Sequence, residues 1–250
     1  MTPLDEICHP PFHEADAAAR ARILSRLADT ELFAALTGEP TGNQVELQSF
    51  DLPEGKFALA CDREERLAGF IGGPVAHLAL PGRVLAAELA REGQGLLVNP
   101  GHVSQLLLDA GMLRWLVEAL AARPSQTGTE AARSLSAPRP EAVMLLAEPV
   151  AQRLGDMAGL VERAGLVLAE WPDGCSNHAL ILRGVDPAHE GAVAKAFAEL
   201  LAFLPQVPGG IDIGFSTRDL PASALILEVP ALTAPAEPAP RDPNAPPRLR

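Results

Sequence analysis

Apolar residues along the 250-residue chain recur in two rhythms, one of helical spacing and one of strict alternation, and together they predict an α+β protein. Over Ala15–Ala28 the spacing of Ala19, Ile23, Leu24 and Leu27 makes one apolar helix face, with Arg20, Arg22 and Arg26 elsewhere. Leu32–Leu36 is an apolar run of strand length. Gly38–Asn43 is turn chemistry, and Val45–Phe50 alternates as the second strand of a hairpin would. Phe57–Cys61 is a short buried strand after the Pro53-Glu54-Gly55 turn. The charged turn Asp62–Arg66 leads into an extended Leu67–Ile71, which Gly72-Gly73-Pro74 breaks. Pro81-Gly82 opens a helix to about Arg91, and Gly93-Gln94-Gly95 stops it. Leu96–Val98 is a strand ending in an Asn99-Pro100-Gly101 corner, where Pro fixes φ and Gly accepts a positive one. Gln105–Leu108 follows as an edge strand, and Asp109 caps a helix to Ala122 that carries Leu113, Leu116, Val117 and Leu120.

In the second half, Ala142–Leu146 is an apolar run of strand length, although Glu141–Ala147 also fits a helix. Pro149 suits the first turn of a helix carrying Val150, Leu154, Met157, Ala158 and Val161. Leu166–Trp171 and His178–Val185 form a hairpin around Pro172-Asp173-Gly174. A helix over Ala188–Phe203, an alternating strand Ile211–Phe215 and a last strand Leu225–Val229 complete the pattern. The order β-α-β-β-α-β implies a ferredoxin-like unit. The expected organisation is therefore a flexible arm (1–14), a mixed α/β domain (15–122), a linker (123–139), a ferredoxin-like domain (140–230) and a Pro-rich disordered tail (231–250) ending in Arg248 and Arg250.

Composition narrows the partners. A formal net charge of −12 repels phosphate backbones and anionic headgroups, so nucleic acid and membrane surfaces are poor partners. No apolar run reaches the ~18–20 residues of a membrane helix. The start of the chain has neither a basic nor an apolar leader segment. Cys8, Cys61 and Cys175 are odd in number and far apart, which fits a reducing cytoplasmic setting better than a disulfide framework. Aromatic residues make up only 4%, and Tyr is absent, so stacking platforms are not expected.

The motifs of established chemistries are missing. There is no phosphate loop, no dinucleotide fingerprint, no G-x-S-x-G elbow and no H-E-x-x-H helix. Cys8, His9 and His13 cluster near the amino terminus, but a fourth ligand is lacking. Cys175 and His178 have the residue types of a nucleophile and its base, yet their positions suit a hairpin loop. Asp62, Glu64 and Glu65 stand beside Arg63 and Arg66, where solvated charge is expected rather than paired acid–base work. His77, His102 and His189 are isolated. Lys56 and Lys195 are the only lysines and are expected on the surface, whereas Trp115 and Trp171 are expected as buried or half-buried anchors. No catalytic residue, metal or cofactor is assigned.

Leu27–Phe33, Ala58–Leu67 and the Gly95–Gly101 run Gly-Leu-Leu-Val-Asn-Pro-Gly resemble the amino-terminal domain of the SseB family. There a helix feeds a strand, an apolar strand ends in a charged turn, and another strand ends in Asn-Pro-Gly. Ala147-Glu148-Pro149 and the elements after it are similar to that family's carboxy-terminal domain. The resemblance implies a bacterial, cytoplasmic, non-enzymatic binding or regulatory protein, linked to the enhanced serine sensitivity for which the family is named. An unidentified protein or a small metabolite would be the partner. The loops expected to serve it are those of Asp62, Arg63 and Arg66 and of Asn99, Gly101 and His102, because function concentrates on loops at strand ends. A thiol-dependent or hydrolytic enzyme and a structural adaptor are the alternatives.

Overall fold

The computed structural model describes residues 1–39, 45–124 and 131–229. Parts of the Gly38–Asn43 turn and of the 123–139 linker, and the whole 231–250 tail, lie outside the described residues.

The amino-terminal half contains helices α1 (Pro3–Ile7), α2 (Ala17–Asp29), α3 (Glu64–Ile71), α4 (Gly82–Glu92) and α5 (Ala110–Leu120). Its strands are β1 (Glu31–Ala35), β2 (Ser49–Leu52), β3 (Gly55–Cys61), β4 (His77–Pro81), β5 (Gly95–Val98) and β6 (Leu106–Leu108). The caps are chemical. Asp16 accepts the Ala19 amide at 2.8 Å and Asp109 the Met112 amide at 2.8 Å, each satisfying a donor that has no partner inside its helix. The first sheet runs β4-β1-β3-β5-β6, with β2 also on β3. In it β3 and β5 are parallel and every other pairing is antiparallel.

The second half contains β7 (Ser134–Ser136), α6 (Pro140–Gly155), β8 (Arg163–Glu170), β9 (Ser176–Arg183), α7 (Pro187–Phe203), β10 (Ile211–Phe215) and β11 (Leu225–Leu227). Its sheet runs β10-β9-β8-β11, with β7 beside β11 along the same edge of β8. Helices and mixed sheets thus make the protein α+β.

Period-two alternation decides which layer each strand residue joins. Leu32, Ala34, Ala58, Ala60, Leu96 and Val98 face α2, α4 and α5, and Ala164, Leu166, Leu180 and Leu182 face α6 and α7. The two helical layers meet each other, α2 and α5 against α7 and α2 against α6. One buried apolar cluster therefore runs from Leu4 to Leu227 through both halves. Charge reinforces the contact. Asp29 at the end of α2 accepts from Arg83 on α4 and from Arg153 on α6, the latter at 2.8 Å. The outer face of the first sheet is covered by α3 through Leu67, packed on Ala35, Leu59 and Cys61.

Several expectations are corrected. Residues 1–14 are not a loose arm. Thr2 caps α1, and Leu4 and Cys8 are 1% and 0% exposed, because an apolar i, i+4 pair has sheet and helix surface to cover. Leu67–Ile71 is helical rather than extended. Glu64 and Glu65 suit its first turn, and Gly72 ends it in the left-handed region at φ 87°. β1 is joined to residues 45–50 only by a bridge between Leu36 and Leu47, and its ladder partners are β3 and β4. β4 gave no sequence signal, being short and ending in a proline that an edge strand tolerates. Part of the 123–139 linker is the strand β7.

Ala142–Leu146 is not a strand but the first half of α6. Pro140 takes the N1 position, and Ala142, Leu146, Val150 and Leu154 keep a four-residue spacing straight through Pro149. The order β-α-β-β-α-β does run from β7 to β10, but its pairing is not the split, ferredoxin-like one. β9 and β10, joined by α7, are direct parallel neighbours with no strand between them.

Gly82 shows how tightly α4 is seated. A Cβ there would lie 2.0 Å from the Leu27 carbonyl oxygen, so the helix start rests directly on the backbone of α2. Gly82→Ala is expected to destabilise the fold by about 2–4 kcal/mol, read as a lowered urea midpoint. Gly38→Ala, where a Cβ meets nothing within 4 Å among the described residues, should leave that midpoint nearly unchanged.

Candidate functional site

Parallel pairing brings the carboxyl ends of β3 and β5 to the same edge of the first sheet, and the two chain corners after them meet there. Such an edge is where open sheets commonly place ligands. The Asn99 amide continues the ladder to the Ala60 carbonyl at 3.1 Å, and its side-chain oxygen then accepts the Asp62 amide at 2.9 Å. Asn99 is completely buried and has φ 47°, the one positive φ outside glycine among the described residues. Asn tolerates that conformation because its short polar side chain can bond locally.

Helix α3 places Arg66 one turn after Asp62, and α1 lays Asp5 against it. Arg66 donates from Nη2 to Asp5 Oδ2 at 2.5 Å. From Nη1 it donates to Asp5 Oδ1 at 3.1 Å, to Asp62 Oδ1 at 3.1 Å and to Ser104 Oγ at 3.2 Å. Ser104 donates to Asp5 Oδ1 at 2.5 Å and accepts from Asn99 Nδ2 at 2.9 Å. Thr2 closes the ring. Its hydroxyl donates to Asp62 Oδ2 at 2.6 Å and accepts the Asp5 amide at 3.3 Å, and its own amide donates to Asp5 Oδ2 at 2.9 Å. The Arg66, Asp5 and Asp62 side chains are 13%, 8% and 2% exposed, so these bonds are shielded from water. Arg66 holds the Asp5 carboxyl well below the usual carboxylate range, helped by Ser104 and Thr2 against the opposing effect of burial. Asp5 raises the Arg66 pKa in return.

Of the six residues expected at the two loops, Asp62, Arg66 and Asn99 are therefore joined in one network. Arg63, Gly101 and His102 stand outside it and are exposed. Gly101 has φ 79° and donates its amide to Gln105 Oε1 at 2.7 Å, so its part is the turn. Two open recesses flank the network. One, of about 490 Å³, is lined by Arg63, Glu64, Glu65, Asp62, Phe33 and Thr2 among others, and one of about 360 Å³ by Arg66, Phe70, Pro100 and His102 among others. Arg63 is the N-cap residue of α3 and makes no side-chain cap, and Arg63, Glu64 and Glu65 at that helix start all line the larger recess.

The remaining candidates lie apart. Cys8 is buried in the core while His9 and His13 are exposed, and among the described residues no three His, Cys, Asp or Glu side chains are placed to hold a metal ion. Burial pushes the Cys8 and Cys61 thiols up to about 11. Asp173 raises the exposed Cys175 thiol, while His178 turns inward and accepts the Arg139 amide at 3.2 Å. Lys195 is not a lone surface lysine. It bonds the buried Glu199 and reaches the Leu120 carbonyl at 3.3 Å. Trp115 packs edge-on against Phe203 at 5.4 Å, and Trp171 donates to Asn177 at 2.7 Å.

Residues 12–115, which carry β1 to β6 and both corners, match the SseB protein N-terminal domain. Over that stretch the chain is similar to the SseB family. No curated protein and no solved structure matches it. Asp62, Arg66, Asn99 and Ser104 fall within the SseB domain, whereas Thr2 and Asp5 come from the helix that precedes it. Those two residues and Ser104 were missed at the sequence level. The signal for the first two was present, since Thr2-Pro3-Leu4-Asp5 has the spacing of a capping box with Pro at N1.

Asp5→Asn leaves the Arg66 charge shielded with its main partner neutral, and should cost about 3 kcal/mol in urea unfolding at pH 7. Because the folded pKa of Asp5 is depressed, its contribution is complete above the ordinary value of 3.8 and is lost as pH falls below that toward the folded value. The gap between the parent and Asp5→Asn should therefore be constant from pH 7 to about 5 and narrow below about 4.

Proposed function

We propose that this SseB-like protein is a non-enzymatic binding or regulatory protein that takes a small zwitterionic metabolite, an amino acid, in the recess before α3. The observation that carries the reading is the division of labour at the corner. Asp62, Arg66 and Asn99 are fully engaged with one another and with α1, while Arg63 and Glu65 line the recess with no ion-pair partner among the described residues. A free amino acid presents one carboxylate and one ammonium. The Arg63 guanidinium and the uncapped first amides of α3 suit the carboxylate, and Glu64 and Glu65 suit the ammonium. The enhanced serine sensitivity for which the family is named agrees with such a ligand. The same reading takes the protein as bacterial and cytoplasmic, takes the two halves as two domains with the second of SseB carboxy-terminal type, and leaves nucleic acid and membrane out of its partners on the grounds of its charge. No described helix is long and apolar enough to cross a membrane.

Thermal unfolding in the presence of each proteinogenic amino acid at millimolar concentration tests this reading. A ligand at about 100 times its Kd adds roughly 2.7 kcal/mol of stability, so a specific amino acid should raise Tm by several degrees. The rise should disappear in Arg63→Ala, whose own Tm should match the parent's. A series with no shift at any amino acid, or a shift that survives Arg63→Ala, contradicts the proposal.

A further inference from the structure

We propose that His178 is a proton-sensitive latch that holds the start of α6 on the second sheet when neutral and releases it when protonated. The ring sits on β9 and is 2% exposed. Its Nε2 accepts the backbone amide of Arg139, the N-cap residue of α6, at 3.2 Å. Arg139 makes no side-chain cap there, so the histidine does the capping from another element. An imidazole that accepts at Nε2 carries its proton on Nδ1, and Nδ1 is buried with no partner among the described residues.

Protonation changes both nitrogens into donors. Nε2 then faces the Arg139 N–H donor to donor, and a positive charge appears at the positive end of the α6 dipole. The charges that bear on the ring are the Arg139 guanidinium, which opposes protonation, and the Glu141 carboxylate in the first turn of α6, which favours it. The neighbours across the sheet, Leu168 on β8 and Ile211 on β10, and Ser136 on β7 beside Leu168, carry no charge. Burial first, and Arg139 second, push the pKa below its ordinary 6.5. The sign follows. Stability from the neutral ring is complete above about 6.5 and falls as pH drops from there toward the folded value, because the unfolded chain takes up the proton first. What would loosen is the α6 start together with the short strand β7 ahead of it. β7 lies on the outer side of β8 and exposes all three of its residues.

The test combines a titration and a variant on the full chain. The ring of His178, followed by NMR from pH 8 to 4.5, should titrate below the ordinary histidine value. Its titration should coincide with shifts of the Arg139 and Glu141 amides. His178→Gln offers an acceptor that does not titrate, so its thermal midpoint should fall less than the parent's between pH 7.5 and 5. A His178 that titrates at or above the ordinary value without moving the Arg139 amide overturns the latch. So does a His178→Gln midpoint that falls as steeply as the parent's. If the variant is too unstable to compare, the ring titration decides alone.

Discussion

The Arg66 guanidinium cannot lose a proton, and its side chain is only 13% exposed, so the groups around it must be arranged to satisfy it. Two carboxylates and a hydroxyl meet that need from three separate places in the chain: Asp5 on α1, Asp62 at the end of β3, and Ser104 after the Asn99 corner. Satisfying one cation thus fixes the helix before the SseB domain, the corner after β3 and the corner after β5 relative to one another. Asn99 completes the geometry from below, since its left-handed backbone turns the chain while its side chain bonds both Asp62 and Ser104. A buried pair of this kind is weak evidence for net stability compared with an apolar filling, and what it does here is tie three distant segments of the chain together.

The same logic recurs where the halves join. Asp29 lies between Arg83 and Arg153, and although burial favours its neutral form, the two guanidinium groups outweigh that and lower its pKa. Glu199, 4% exposed, is met by Arg83 and Lys195. These bonds seal the rim of an apolar contact rather than drive it. The area term comes from α2, α5, α6 and α7, whose buried leucines, Val150 and Phe197 belong to one cluster. His178 lies at the far end of α6 from Arg153, so the helix is held electrostatically near its end and, beside the packing of Ala142, by the Arg139–His178 hydrogen bond at its start.

Much of this was legible in the sequence, for identifiable reasons. The helices α2, α4, α5 and α7 carry their caps or breakers in plain view, with Asp16 and Asp109 before and Gly93 after. The strands β3, β5 and β9 are apolar runs bounded by charge or turn residues. What was misread were elements whose signal sits on their neighbours. Leu67–Ile71 is too short for its period to declare itself, and Ala142–Leu146 reads as a strand until the four-residue spacing is followed through Pro149. At the corner, Asp62, Arg66 and Asn99 stood out as charge and turn chemistry. Their partners were less visible: Thr2 and Asp5 carry only the local spacing of a capping box, and the bonds that draw Thr2, Asp5 and Ser104 into the network include ones that span 60 to 99 positions of sequence. Pairing also decided the second sheet: its first strand is β7 rather than Ala142–Leu146, and the adjacency of β9 and β10 has no signal in the element order.

A double-mutant cycle between Asp5 and Arg66, using Asp5→Ala, Arg66→Ala and the pair, measures the interaction on which this account turns. The unfolding free energies at pH 7 should show a coupling of roughly 2–3 kcal/mol, with the double variant far less destabilised than the sum of the singles. A coupling near zero, with each substitution costing the same whether or not the other is present, would mean that α1 and the strand-end corner are not held by this ion pair.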